Sequence, residues 1–441
     1  MYLKLSIRNA RRSLFDYILY ILSMVVLISI SCFLNDIANW GDMQPGFQTM
    51  GLPLLIALIM VVMTDYINAF IVRQRAKEFA TYMLLGMEKG RLAAVFVCEL
   101  IIVGMMCFLL GTAIGTGIFF AYCRVLLRGA ENPSISGIAL KGVLQTLAYF
   151  CCVEASSIFF LKGKIYKLQI VRLMREKERN QPLRENKKSF WGWALLISFF
   201  GYFVLLSGIS SMPDRTVFVS VSVISIPMLL CFFSFYKWLY AFIASIRLSQ
   251  KDILYQGNLL YQIAEMTMGT KTGANVNTVF CICLLFSAGA FVFGAFLLNP
   301  HMQIFAQTAQ QWMGLLQISI CVVFMVIYFC ILSLLQMIDL KREARNIRLL
   351  FHMGKNRSGL KWLLCVQTLI KLFLPTFMSF IMLLSATPFV NRRLNLILPV
   401  SMHNFAFKAV SGFAICFFSL YACYFCVIYM TTRRYIMRSI N

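Results

Sequence analysis

The sequence predicts an all-α, polytopic membrane protein of about ten transmembrane helices, built as two halves in parallel repeat with both termini in the cytoplasm. Three observations carry that reading. The 441 residues are 60% hydrophobic and only 13% charged, with a mean hydropathy of +0.77, more apolar surface than a soluble core can hide. Ten apolar runs reach the roughly 20 residues needed to cross about 30 Å of hydrocarbon. A basic segment broken by a glycine recurs 268 positions after its first appearance. The apolar runs are continuous and lack period-two alternation, which favours helices over a membrane β-barrel.

In chain order, the N-terminal stretch YLKLSIRNARRSL sets Leu3, Ile7, Ala10 and Leu14 on one helical face and Lys4, Arg8, Arg11 and Arg12 on another. That pattern suits a helix lying in the inner headgroup layer, or a basic flank that only sets topology. The first run, 14–34, has no small-residue cleavage pattern after it and reads as an uncleaved span. Runs 51–72 and 92–123 flank a basic elbow at 73–91. The second of these, at about 32 residues, would measure about 48 Å as a helix and must tilt, kink or protrude. Within it, GTAIGTG puts Gly111 and Gly115 on one face, as a moving contact or as static packing.

Run 142–161 completes an N-terminal half, 1–163. In KIYKLQIVRLMREKERNQPLRENKKSF, 164–190, the first part suits an amphipathic helix and RNQPLRENKK reads as a solvated linker, so the halves divide across 164–189. The C-terminal half, 190–441, holds runs 190–208, 216–240, 277–298, 314–338, 362–390 and 408–430. The outside loops, of which 35–50, 124–141 and 391–407 are the longest, are too short for a large folded domain.

The net charge of +24 would suit a nucleic-acid binder, but its placement does not. With the N-terminus inside, the inner segments carry 33 of the 41 lysines and arginines. This is the positive-inside bias; it needs no nucleic acid, and it suits contact with anionic lipid headgroups. The 15 cysteines fall mostly inside the apolar runs, as at Cys107, Cys151, Cys152 and Cys281, and read as small apolar residues. No histidine cluster marks a metal site.

The repeat is clearest when RQRAKEFATYMLLGMEKGRLAAVFVCEL is set over KREARNIRLLFHMGKNRSGLKWLLCVQT, with Gly86 over Gly354. Arg73 then meets Lys341, Lys77 meets Arg345, Leu85 meets Met353, Lys89 meets Arg357, Leu92 meets Leu360 and Glu99 meets Gln367. Residues 73–85 are helix-compatible, and Gly86 ends that helix in the left-handed conformation. MEKGR turns the chain into the next helix. The product is a short cytoplasmic elbow between two spans. It can pass force from a soluble partner to the membrane helices, or it is an ordinary basic loop.

This segment resembles the signature of FtsX-like ABC transporter permeases, at Arg75, Lys77, Glu78, Leu85, Gly86, Lys89 and Glu99. More narrowly, LKLSIRNARRSLFDYILYIL and DILYQGNLLYQIAEMTMGTKTGANVNT are similar to stretches of bacitracin-resistance-type (antimicrobial-peptide) permeases of Gram-positive bacteria. The resemblance implies a multi-pass permease of a bacterial cell membrane. Two separate ABC ATPase subunits would carry the ATP and Mg, and this chain would be no enzyme and hold no cofactor. They would dock at Arg75, Lys77, Glu78, Gly86, Met87 and Lys89 in the first elbow and Arg345, Gly354, Lys355 and Arg357 in the second. No GxxxxGK[ST] phosphate loop occurs in the chain; GTKTGAN and GKNRSG lack its spacing. The chain departs from that subfamily between runs 7 and 8. Members carry a large extracellular domain there, implicated in peptide recognition and in signalling to a histidine kinase; here only about 299–314 joins the runs. The departure leaves room for a second permease chain as a partner.

Asp65, Glu99, Glu154 and Lys371 fall inside apolar runs. A charge at mid-bilayer costs roughly 2.5–3.5 kcal/mol, so each needs a partner or a job. Asp65 and Glu154 are candidates for a proton or substrate site, or for inner-interface residues paired with Arg73 or Lys162. Glu99 suits a structural hydrogen-bonding role near the cytoplasmic end. Three functions follow: a permease that exports, releases or detoxifies a hydrophobic or antimicrobial-peptide-type compound; a permease-like relay to a sensor kinase or wall hydrolase that transports nothing; and an ion-coupled carrier using Asp65 and Glu154.

Overall fold

A computed structural model describes residues 14–40, 52–126, 135–166, 188–209, 214–249, 261–263, 270–299, 307–397 and 404–440. The expected N-terminal interfacial helix and most of the 164–189 linker lie outside them. Every element among the described residues is helical. They are α1 (Leu14–Trp40), α2 (Leu52–Gln74), α3 (Ala76–Leu84), α4 (Lys89–Leu126), α5 (Ile135–Tyr166), α6 (Lys188–Ile209), α7 (Asp214–Ser249), α8 (Thr270–Leu297), α9 (Gln307–His352), α10 (Arg357–Ile397) and α11 (Phe405–Ile440). Nine of these helices are long and apolar enough to cross a membrane. The second predicted span, α2, is a helix of 23 residues and is not among the nine. The chain forms two compact units, 1–180 and 181–441.

In the first unit α1 is the central helix, lying against α4, α5 and α2. Its apolar residues Met24, Leu27, Ile28 and Phe33 are buried, and so are Ser23, Ser31, Asn35 and Asp36. With lipid as apolar as leucine, such a helix is held by close packing and by hydrogen bonds between helices. Both are present. A Cβ on Gly115 would stand 2.5 Å from the Ser29 carbonyl oxygen, and one on Gly111 2.8 Å from the Ile28 side chain, so these two glycines are the contact between α4 and α1. Asn35 donates to Thr146 of α5 (2.9 Å), and Asn68 of α2 donates to Ser157 of α5 (2.7 Å).

In the second unit α8 packs against α9, α10, α7 and α11, while α6 lies along α7. Among the described residues two helix interiors contain proline: Pro227 in α7, and Pro375 and Pro388 in α10. Proline removes a helix hydrogen bond, and in lipid the freed carbonyls need other donors. Around Pro375 the core donates to carbonyls of α10. Tyr421 donates to the Leu372 carbonyl, Tyr236 to that of Leu374 (3.2 Å) and Cys281 to that of Pro375 (3.3 Å).

Two lengths matter for the elbows. The long run after the first elbow is one helix of 38 residues, about 57 Å. The helix before the second elbow, α9, runs unbroken for 46 residues, about 69 Å. The first elbow differs from expectation: 73–85 is not one helix. The chain breaks at Arg75 (φ −93°, ψ 14°) between α2 and α3.

Candidate functional site

The two elbows close with the same backbone geometry. The Gly86 N–H donates to the Met83 carbonyl (3.1 Å) and the Met87 N–H to that of Tyr82 (3.0 Å). At the same offset, Gly354 donates to Phe351 (2.9 Å) and Lys355 to Leu350 (3.2 Å). These are the paired bonds of a helix ended by a left-handed residue, and the glycines have φ +89° and +91°. The flanking bonds also match: Leu85 to Thr81 and Met353 to Leu349, both 3.0 Å, then Leu92 to Glu88 (3.0 Å) and Leu360 to Asn356 (3.1 Å).

At each tip an apolar side chain faces out, Leu85 at 79% and Met353 at 74% of full exposure. Around the first, Leu84 is exposed, Met87 and Lys89 are half-buried, and the side chain of Glu78 is about half exposed. Glu88 and Arg91 pair on the surface at 3.5 Å. Around the second, Arg345, Leu349 and Arg357 are exposed and Lys355 is half-buried; the Arg357 guanidinium stands 5.6 Å from the Phe351 ring. The side chain of Lys77 lies outside the described residues.

Arg75 does not join that surface, which corrects its grouping with the docking residues. It is 3% exposed. Its Nη1 lies 2.5 Å from Glu99 Oε2 of α4, and its Nε 2.8 Å from Glu78 Oε2. The guanidinium carbon sits 5.6 Å from the Phe79 ring and 5.9 Å from that of Phe96, two rings in edge contact at 5.3 Å. A planar cation with several donors suits this doubly paired, aromatic-walled site. The helix is interrupted at this same residue, although its N–H still donates to the Ile71 carbonyl (2.9 Å).

The second unit holds a pair at the same place. Glu343 of α9 is 3% exposed, accepts from Gln367 Nε2 (3.1 Å), and is ion-paired to Lys371 of α10. Lys371 is therefore the partner of a carboxylate that the sequence reading passed over. The signal was present: at the 268 offset Arg75 falls over Glu343 and Glu99 over Gln367, a reversal of charge with no net loss of pairing.

Of the other membrane-embedded candidates, Glu154 is buried and accepts from Tyr20 of α1 (2.9 Å), with Gly104 of α4 packed against the same oxygen. Asp65 is half-buried on α2. Asp36, fully buried against Gly142 and beside the Cys32 thiol (3.8 Å), was missed, because it closes an apolar run where a solvated end was expected.

Comparison with known proteins places the first elbow. Residues 50–161, which run through α2, α3 and α4 into α5, match the family described as FtsX-like permease C-terminal. The second elbow lies beyond the matched residues. The bacitracin export permease protein BceB of Bacillus subtilis (strain 168) is 21% identical over 296 residues, which cover 63% of this chain. The chain spans 45% of that relative's length.

Proposed function

We propose that the chain is the permease subunit of an ABC transporter in the cell membrane of a Gram-positive bacterium, working with separate ATPase subunits. Two ATPases dock beneath the elbows at 73–91 and 341–360, and the chemistry of ATP and Mg belongs to them. The observation that carries this reading is the pair of apolar tips. Leu85 and Met353 each stand on a glycine-ended helix stop, at 79% and 74% exposure. An uncovered apolar side chain on a glycine turn outside the bilayer fits a socket on a partner protein.

The cargo is a hydrophobic or antimicrobial-peptide-type compound, exported, released or detoxified at the membrane. The Bacillus relative's being a bacitracin export permease protein supports the bacitracin-like class. The connection from α8 to α9 is short: α8 ends at Leu297 and α9 starts at Gln307. Cargo contact therefore belongs to the membrane helices of this chain, or to a second permease chain. A relay to a sensor kinase or wall hydrolase is the second reading. It is favoured by the length of α4, 38 residues, which exceeds the bilayer and can carry motion outward.

The test replaces the tips. The chain is co-expressed with its candidate ATPase, and the complex is purified by a tag on the chain. Leu85→Asp and Met353→Asp together are expected to abolish recovery of the ATPase at unchanged membrane levels of the permease, and each alone to weaken it. Full recovery of ATPase with both tips charged would overturn the docking assignment. If docking holds, peptide protection that persists after deletion of any partner kinase supports transport over relay.

A further inference from the structure

The glycine turns are open. A Cβ built on Gly86 or Gly354 would meet nothing within 4 Å, so no neighbouring side chain braces either turn directly. A push on an elbow would then be absorbed by rotation at the turn, unless something ties the elbow to the helix beyond it. In each unit a buried charged contact does so. Arg75 and Glu99 stand on opposite sides of the Gly86 turn, 24 positions apart; Glu343 and Gln367 stand on opposite sides of the Gly354 turn, also 24 apart, with Lys371 one helical turn further on. The first contact is walled by Phe79 and Phe96, both buried. Below the second, Ala344, Ile347, Leu360 and Leu364 form a buried cluster with Ile436.

We infer that Arg75–Glu99 and Glu343–Lys371 are positioning clamps of opposite polarity, each making its elbow move as one body with the spanning helix that follows. In the first, the elbow brings the cation and α4 the anion. In the second, α9 brings the anion, and α10 brings an amide and a cation. The cation has moved across the contact: Val103, buried in α4, occupies the position that Lys371 holds in α10. A charge buried this deeply is stable only while its partner is in reach, so the contact resists sliding and separation alike. The functional consequence rests on the elbows being ATPase docking points; the rigidity of the contact does not.

Two arms test it. The first uses the full chain in lipid nanodiscs without any ATPase, and follows amide hydrogen exchange by mass spectrometry. Arg75→Gln is expected to speed exchange across 76–92 at least about tenfold while 344–360 changes by less than about twofold, and Glu343→Gln to do the reverse. Arg75→Lys keeps the charge but not the fork that reaches Glu78 and Glu99 together, and is expected to speed exchange across 76–92 less than Arg75→Gln does. The triple variant Arg75→Glu, Glu99→Gln, Val103→Lys builds the second clamp in the first unit and is expected to restore slow exchange. Unchanged exchange in the single variants, or equal loosening of both elbows by either, would overturn the proposal. The second arm adds the ATPase. Arg75→Gln is expected to bind it as before but to lose at least about tenfold of cargo-stimulated hydrolysis. If the unaltered chain binds no ATPase, the docking reading fails while the exchange result still decides the clamps.

Discussion

At Gly86 and Gly354 the backbone takes φ +89° and +91°, a conformation that costs an L side chain but not glycine. With open space around both, the cost of a substitution is backbone strain alone. Alanine at either position is expected to cost about 1 kcal/mol, and asparagine less, in the unfolding free energy of the purified protein. A loss of several kcal/mol would mean that the turn is braced after all. Tyr20→Phe makes a different test. It strips the hydroxyl that donates to Glu154 at 2.9 Å and leaves a buried acid short of a partner, at a cost of about 1–3 kcal/mol; Glu154→Gln, which can still accept that bond, is expected to cost less. Equal stability of Tyr20→Phe and the unaltered protein would show that the bond does not hold Glu154. The glycine pair was legible in the sequence because left-handed helix ends select glycine locally. The burial of Arg75 was not, because a basic residue at the end of a span is ordinarily solvated. Lys371 showed as a cation stranded in an apolar run, but nothing local points to Glu343, 28 positions earlier.

Helix existence follows from apolar length, so the spans were legible, α4 included. Which helix lies at the centre was not, since a run apolar on all sides says nothing about which side meets lipid. Nor was the division of the first elbow at Arg75, in a stretch whose local preference is helical throughout. The glycines of α4 show how packing sorts residues that look alike in sequence. Gly115 faces the Ser29 carbonyl of α1 so closely that a Cβ would lie 2.5 Å away, whereas a Cβ on Gly117 would meet nothing within 4 Å. Gly115→Ala is therefore expected to cost about 1–3 kcal/mol by forcing α1 and α4 apart. Gly117→Ala is expected to be neutral or to gain up to about 1 kcal/mol from its better helix propensity. Denaturant unfolding in detergent measures both. Equal effects at the two positions would mean that α1 and α4 do not meet along this glycine face.

For the whole chain, everything proposed of the elbows requires that both lie on the cytoplasmic side, and the count of crossings bears on it. Among the described residues nine helices have the length and composition to span, and α2 is left as the tenth. Either count sets the two elbows on the same side, since an even number of spanning helices, α4 to α9, separates them. The counts differ at the termini: ten crossings leave both on one side, nine leave them on opposite sides. If α2 failed to cross, the four basic residues of 1–12 would face away from the elbow at 73–91, which carries five. The positive-inside bias opposes that arrangement. Its Asp65 is half-buried. Green fluorescent protein, which folds only in the cytoplasm, is therefore expected to fluoresce when fused at either terminus of the full chain, and alkaline phosphatase inserted near 130 or 400 is expected to be active outside. Fluorescence at one terminus alone would show that α2 does not cross. Fluorescence at neither, with reporters at 130 and 400 dark to phosphatase assay, would place both elbows outside, beyond the reach of any ATPase.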